Sequence, residues 1–266
     1  MIKRILALAI LAAPGHAAAQ IALSSNAVEE RSAAPGTTYE GTFRVRNTTN
    51  RPQEIKVYQT DYSFSADGGT TFGEPGSGPR SNARWLSVSP ARLTLAPNAE
   101  GTVSFRVAVP GAAARGSFWS MVMVEPIAAG SAESAQRPAA RRAEMAVRTV
   151  TRFGVQVVTH LADEGERTLS FAPPRASVAA GGAKTLEVDI RNTGDRAYRP
   201  TLRLELFDAE GRPAGKVESV RGPVYPGTSV RQRFELGRIP AGSYDALVVA
   251  DTGDDAVFGA RYRVTF

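Results

Sequence analysis

The sequence contains no cysteine, and this absence excludes several kinds of chemistry at once. Disulfides, thiolate metal sites and cysteine nucleophiles all need the missing side chain. A chain of 266 residues without such cross-links must be stabilised by packed apolar cores. Its length leaves room for two domains of about a hundred residues each.

Histidine is nearly as scarce, since the chain has two, His16 and His160. A histidine-based metal site would lack its companions, and no nucleophile elbow marks a Ser-His-Asp triad. Asp251-Thr252-Gly253 imitates an aspartic-protease signature, but the chain has no second copy and a β-turn explains the segment. The sequence therefore shows no catalytic constellation, and we expect neither an enzyme nor a metal or cofactor site.

Long apolar runs are missing too, apart from a short one at the N-terminus. Lys3 and Arg4 precede an apolar run from Ile5 to Ala13, and the small residues Ala17-Ala18-Ala19 follow. This pattern is typical of a secretory signal peptide, and the run is too short to cross a bilayer as a helix. We expect residues 1–19 to be a leader, and the mature protein to be periplasmic without an integral membrane segment.

Charge of one sign is not concentrated anywhere in the chain. The formal net charge of +6 falls by two without Lys3 and Arg4, and Asp and Glu are interspersed among the basic residues. A nucleic-acid interface would need a clustered basic patch. We therefore expect no nucleic-acid partner.

The sequence is rich in apolar residues that alternate with polar ones. This alternation is typical of half-buried strands, and clusters of Pro, Gly, Asn and Asp separate the segments, without any long helical period. It is clearest in four stretches: Phe43-Val45, Ile55-Val57, Leu93-Leu95 and Val103-Phe105-Val107-Val109. The pattern predicts an all-β protein.

Short patterns in the first half recur in the same order in the second half. The pairs are Arg46-Asn47-Thr48 with Arg191-Asn192-Thr193, Ala66-Asp67-Gly68 with Ala209-Glu210-Gly211, Pro97 with Pro226, and Gly116-Ser117-Phe118 with Gly242-Ser243-Tyr244. Several echoes in one order indicate two copies of one plan. Each copy has the strand and turn spacing of an immunoglobulin-like β-sandwich. We predict one such domain over 20–161 and a second over 168–266, joined by a short charged linker.

One strand-like stretch, Gly116 to Glu125, is apolar on both faces. Phe118, Val122 and Val124 form one face, and Trp119, Met121 and Met123 form the other. Successive side chains of a strand point to opposite faces, so a single core can cover only one of these sets. The other set needs a cover from the same protein or from a partner.

Two segments, Ser89 to Pro97 and Gly116 to Pro126, resemble the PapD-like periplasmic chaperones of pilus assembly. The likeness covers roughly 20–161. In that family an extended segment of a client subunit adds to the last strand of the first domain, and an Arg and a Lys hold its terminal carboxylate. The resemblance implies Arg31 for the arginine. The lysine position falls on Gly154, and Arg152 is the closest basic residue.

The resemblance thus implies a chaperone-like protein that captures a pilin-like or other surface subunit by β-strand addition. The residues expected to bind the partner are Arg31, Phe118, Trp119, Met121, Met123, Met145, Val147 and Arg152. The alternative is a structural or adhesive cell-surface module without chaperone activity. An exposed face of the two-faced strand would favour capture, and burial of both faces would favour the structural role.

Overall fold

The computed structural model describes residues 20–113, 115–135, 150–161, 165–253 and 256–266. The expected leader, Met145 and Val147 lie outside these ranges. Ten strands occupy the first half: β1 Ile21–Leu23, β2 Val28–Ala33, β3 Thr38–Asn47, β4 Gln53–Phe64, β5 Thr70–Gly73, β6 Leu86–Ser89, β7 Arg92–Leu95, β8 Glu100–Ala108, β9 Gly116–Pro126 and β10 Phe153–Leu161. A single 3₁₀ turn at Ala83–Trp85 is the one helical element in the described ranges, and no helix there has the length and apolarity that a membrane crossing requires.

The second half contributes the remaining strands of the described chain. They are β11 Leu169–Phe171, β12 Arg175–Val178, β13 Lys184–Asn192, β14 Thr201–Phe207, β15 Pro213–Val220, β16 Ser229–Gly237, β17 Ser243–Asp251 and β18 Val257–Thr265.

Each half forms two sheets packed face to face. In the first half one sheet has the order β1-β3-β8-β6 and the other has the order β2-β10-β9-β4-β5, with β7 also paired to β4. In the second half β13 pairs with β11, β12 and β16, and the facing sheet has the order β15-β14-β17-β18. The predicted all-β fold of two immunoglobulin-like sandwiches is confirmed.

The period-two alternation places one face of most strands in a core. On β8, for example, Val103, Phe105 and Val107 are buried and the residues between them are exposed. The first core lies between the sheets of the first half, and a separate core lies between the sheets of the second half. A third and smaller cluster joins the two halves.

The asparagine of the first echo stabilises the same corner in both sandwiches. Asn47 is fully buried, and its Nδ2 donates to the carbonyls of Arg51 at 2.7 Å and Ala96 at 3.0 Å. Asn192 is also fully buried, and its Nδ2 donates to the carbonyls of Arg196 at 2.5 Å and Val224 at 2.9 Å. Repetition of this buried hydrogen-bonding unit is the physical basis of the sequence echo.

The proline echo is a matching turn in each half. The residue after each proline, Asn98 or Gly227, has a positive φ, 58° and 78° respectively. Glycine and asparagine tolerate this left-handed conformation best, which is why they stand there. The carbonyl of the residue before the proline, Ala96 or Tyr225, accepts the hydrogen bond that closes the turn.

Asn47→Ala is expected to lower the free energy of unfolding by about 3 kcal/mol, because it leaves several buried backbone groups without their partner. Urea denaturation of the purified protein measures this change. The exposed neighbour Asn50 is the matched control, and Asn50→Ala should change the free energy by less than about 0.5 kcal/mol. Equal effects of the two substitutions would contradict the structural role of Asn47.

Candidate protein-binding edge and domain interface

The two-faced strand β9 lies in the middle of its sheet, between β10 and β4. Its inner face, formed by Phe118, Val122 and Val124, belongs to the core of the first sandwich. Phe118 also contacts Trp85, with ring centroids 4.7 Å apart and the ring planes tilted by 45°. The expectation that Phe118 contacts a partner is wrong for this arrangement, because the chain's own core covers it.

The outer face of β9 is covered by the second sandwich at one end. The ring of Tyr225 stacks on Trp119 with centroids 4.9 Å apart, and the indole Nε1 of Trp119 donates to the carbonyl of Tyr62 at 2.9 Å. Tyr225 also donates from its hydroxyl to Gln156 at 2.9 Å. Trp119 is therefore 7% exposed, and its expected role as an open contact surface is wrong.

Further along the same face, Met123 is buried and Met121 is half-buried. Met121 lies over Gly154, where an added Cβ would come within 2.1 Å of the methionine sulfur. A lysine at 154 would therefore displace Met121, and this contact gives a physical reason for glycine at that position. Of the outer apolar residues predicted to bind a partner, Met121 keeps the most accessible surface.

The two arginines expected to form one carboxylate clamp lie far apart. Arg31 is on β2 opposite Thr159 of β10, whereas Arg152 immediately precedes β10. At about 3.3 Å per residue, seven residues of extended chain separate their positions by roughly 23 Å. The predicted pairing of these two arginines is wrong, because β2 runs along the far end of β10.

Arg152 belongs instead to a charged cluster at the start of β10. Its guanidinium donates to the hydroxyl of Tyr58 at 3.3 Å and lies 3.9 Å from the carboxylate of Glu125. Lys56 pairs with the same carboxylate at 3.3 Å. The side chain of Arg152 is 52% exposed, so it has surface to offer an incoming carboxylate.

The open part of the sheet edge lies beside this arginine. β2 pairs in parallel with Gln156–Leu161 of β10, and the amide of Gln156 donates to the carbonyl of Ala27 at 2.8 Å. In the described part of the chain no strand pairs on that side with Phe153–Val155. Because donor direction alternates along a strand, the amide of Gly154 points to this unpaired edge. The edge can therefore accept an additional strand.

A hydrogen-bond chain crosses from the second sandwich to β2. The amide of Ala197 donates to the hydroxyl of Ser117 at 2.8 Å, and this hydroxyl lies 2.8 Å from Nδ1 of His160. Nε2 of His160 lies 2.6 Å from Glu30, whose second oxygen accepts from Arg199 at 2.5 Å. Glu30 thus links β2 to β10 and to the second sandwich.

Sequence reasoning missed this constellation, because its members are far apart along the chain. It imitates a serine-histidine-acid triad, but Ser117 is 1% exposed and its oxygen already accepts the amide of Ala197. A substrate cannot reach a nucleophile held in that position. In the described ranges no group of three or more His, Cys, Asp or Glu side chains is placed to hold a metal ion.

The environment of Glu30 shifts its pKa. Partial burial is the largest single influence and raises the pKa of this carboxyl, but hydrogen bonds and charge from Arg199 and His160 together lower it below its ordinary value. The carboxylate therefore stabilises the folded protein above the ordinary value and loses this effect as the pH falls through the lowered pKa.

The sandwiches also meet through backbone groups at the start of β9. The amide of Ser117 donates to the carbonyl of Asp195 at 2.8 Å. Gly116 has φ of +98°, and an added Cβ would lie 2.0 Å from the same carbonyl oxygen. Glycine is therefore required here both for the backbone conformation and for the close approach of the second sandwich.

Comparison with known proteins finds likeness in structure. No family model matches the chain, and no curated protein matches it in sequence. A solved structure titled as a chaperone-tip adhesin complex of CFA/I fimbriae has a TM-score of 0.48 at 12% identity, covering 92% of this chain and 98% of the other. The chain resembles the PapD-like fimbrial chaperones.

Two further solved chaperones show the extent of this likeness. The class 5 fimbriae chaperone CfaA has a TM-score of 0.45 at 12% identity over 91% of this chain and 98% of its own. The E. coli chaperone DraB has a TM-score of 0.43 at 13% identity over 90% and 96%. All three TM-scores lie below 0.5, and the likeness carries no conclusion about the function of this chain.

Gly116→Ala is expected to separate the sandwiches at this contact, because the new methyl group overlaps the carbonyl of Asp195. Loss of the near-ultraviolet circular dichroism from the Trp119–Tyr225 stack would report the change. Gly68 also has a positive φ, +88°, but an added Cβ would meet nothing within 4 Å, so Gly68→Ala is the matched control. An unchanged spectrum for folded Gly116→Ala would contradict the assignment.

Glu30→Gln is expected to remove part of the acid sensitivity of the protein. The wild type should lose stability relative to the variant as the pH falls from neutrality through and below 4.5, the ordinary pKa of the carboxyl. Urea denaturation at a series of pH values measures both profiles. Parallel profiles for the two proteins would show that Glu30 has no shifted pKa in the folded state.

Proposed function

We propose that the protein is a periplasmic chaperone-like protein that captures an extended segment of a surface-structure subunit by β-strand addition. The observation that carries this proposal is the edge of β10 at Phe153–Val155, which no strand of the described residues pairs, beside the exposed guanidinium of Arg152. An incoming strand would gain main-chain hydrogen bonds from Gly154, whose backbone groups point to this edge. Without a client, the backbone N–H and C=O groups that point to this edge are hydrogen-bonded to water.

Arg152 is the charged anchor in this proposal. It lies at the open end of β10, whereas Arg31 lies where β2 already occupies the edge. A carboxylate of the client, at its terminus or on an acidic side chain, would accept hydrogen bonds from the exposed face of the guanidinium. Glu125 and Tyr58 hold Arg152 from the opposite side and so position it.

The apolar contact of the client is Met121 on the outer face of the sheet, because Met123 is buried there. Methionine adapts its shape to different partners, which suits a client surface of varied side chains. Met145 and Val147 lie outside the described residues and stay predicted contacts. Phe118 and Trp119 stabilise the sandwich and the domain interface instead.

A structural or adhesive surface module is the second candidate. Burial of both faces of β9 favours it, because Phe118 and Trp119 are 6% and 7% exposed and leave no open apolar groove around them. The two candidates differ in what happens at the β10 edge, since a structural module has no need to pair that edge with another chain.

The test is binding of synthetic peptides of alternating valine and threonine with lysines for solubility, with a free or an amidated C-terminus. Capture predicts that the peptide protects the amide of Gly154 from hydrogen exchange. Arg152→Gln should weaken binding of the free-carboxylate peptide by about tenfold and leave the amidated peptide nearly unchanged.

Arg106→Gln is the matched control, because Arg106 is an exposed arginine on the other sheet. It should leave the affinity of both peptides close to that of the wild type. Binding without protection of Gly154, or equal losses in the two arginine variants, would contradict capture at this edge. Absence of any peptide binding would favour the structural module.

A further inference from the structure

The two sandwiches follow one plan but place one strand differently. In the second sandwich β11 and β12 both pair with β13, and β12 pairs with its first residues, from Lys184 to Glu187. In the first sandwich β1 pairs with the last residues of β3, but β2 leaves that sheet and pairs with β10. The equivalent strand therefore occupies a different sheet in each copy.

Departure of β2 leaves a vacant edge on β3. β1 pairs with β3 over Val45–Asn47, and in the described residues no strand pairs on that side with Thr38–Phe43. The amide of Arg44 points to this side and donates to the hydroxyl of Ser25 at 3.1 Å, not to a strand carbonyl. By alternation, the amides of Glu40 and Thr42 point to the vacant edge.

A groove of about 720 Å³ lies beside this edge. Glu29 and Arg31 of β2 and Glu40–Thr42 of β3 line it, together with Ser87–Ser89 of β6 and Ser104–Arg106 of β8. Both β2 and the unpaired part of β3 therefore border the same groove. A turn of four residues, Ala34–Thr37, already connects β2 to β3, and hairpins commonly have loops of this length.

β2 is held on β10 by few interactions of its own side chains. None of its six residues is fully buried, and only the half-buried Val28 and Ala33 supply apolar packing that opposes its release. Parallel pairing is also slightly less stable per residue than the antiparallel pairing available on β3. The strongest side-chain anchor is Glu30, through His160 at 2.6 Å and Arg199 at 2.5 Å.

We propose that β2 is a switch strand, latched on β10 by Glu30, that moves to the vacant edge of β3 and frees Gln156–Leu161 for a client strand. This inference rests on the proposed capture function and extends its binding site. The free edge of β10 would grow from Phe153–Val155 to the whole nine-residue strand. If the turn at Ala34–Thr37 is kept, the new hairpin places Arg31 opposite Glu40, where the two side chains can form an ion pair.

The first experiment needs no client. Glu30→Gln should speed hydrogen exchange at the β10 amides that point to β2, those of Gln156, Val158 and His160, by about tenfold, because a charge-assisted latch is lost. The neighbouring substitution Glu29→Gln is the matched control and should leave these rates close to wild type. Equal rates in the two variants would overturn the latch.

The second experiment locks β2 in place. Val28 and Gln156 are paired across the two strands, and the chain has no cysteine, so Val28→Cys with Gln156→Cys gives one reversible disulfide. The oxidised form should bind the valine-threonine peptide at least about tenfold more weakly than the reduced form. In the reduced form, peptide binding should protect the amides of Glu40 and Thr42 as β2 reaches β3.

The outcomes separate the two proposals. Equal affinity of the oxidised and reduced forms would overturn the switch and leave capture at Phe153–Val155 intact. Binding by the reduced form without protection of Glu40 and Thr42 would overturn the move to β3. If neither the wild type nor the reduced variant binds peptide, the capture function fails, and the exchange rates of Glu30→Gln alone decide whether β2 is latched.

Discussion

The stack of Tyr225 on Trp119 sets the arrangement on which the candidate site depends. It covers the end of the outer face of β9 that would otherwise expose a large indole ring, and it fixes the second sandwich beside β10 and β2. Aromatic pairs of this kind contribute about 1 kcal/mol beyond the area that they bury. With that end closed, the accessible part of the sheet is reduced to Met121 and the edge at the start of β10.

The same contact shows how two copies of one plan acquire different roles. Tyr225 occupies the position before the turn proline that Ala96 occupies in the first copy, and both carbonyls accept the same turn hydrogen bond. The backbone turn is thus retained, while the side chain has become a contact between domains. The strands that precede β3 and β13 differ in a similar way. β12 pairs with β13, whereas β2 leaves the sheet of β3 and pairs with β10 in the facing sheet.

Much of the fold could be predicted from the sequence, because period-two alternation and the repeated Arg-Asn-Thr segments report local structure. The fully buried Asn47 and Asn192 show that the echo has a physical cause. Less of the candidate site could be predicted from the sequence. Whether Trp119 is open or covered depends on Tyr225, more than a hundred residues away, and no local pattern specifies which sheet β2 joins. The linked residues Ser117, His160 and Glu30 meet only through tertiary structure.

Capture at β10 depends on a boundary along this strand, because in the described part of the chain its edge is open before Gln156 and occupied by β2 from Gln156 onwards. Hydrogen exchange of individual amides in the free wild-type protein tests this boundary most directly. The amide of Gly154 should exchange at least about a hundredfold faster than those of Val155, which faces β9, and Gln156, which donates to Ala27. Protection of Gly154 equal to that of its two neighbours would show that the edge is already closed.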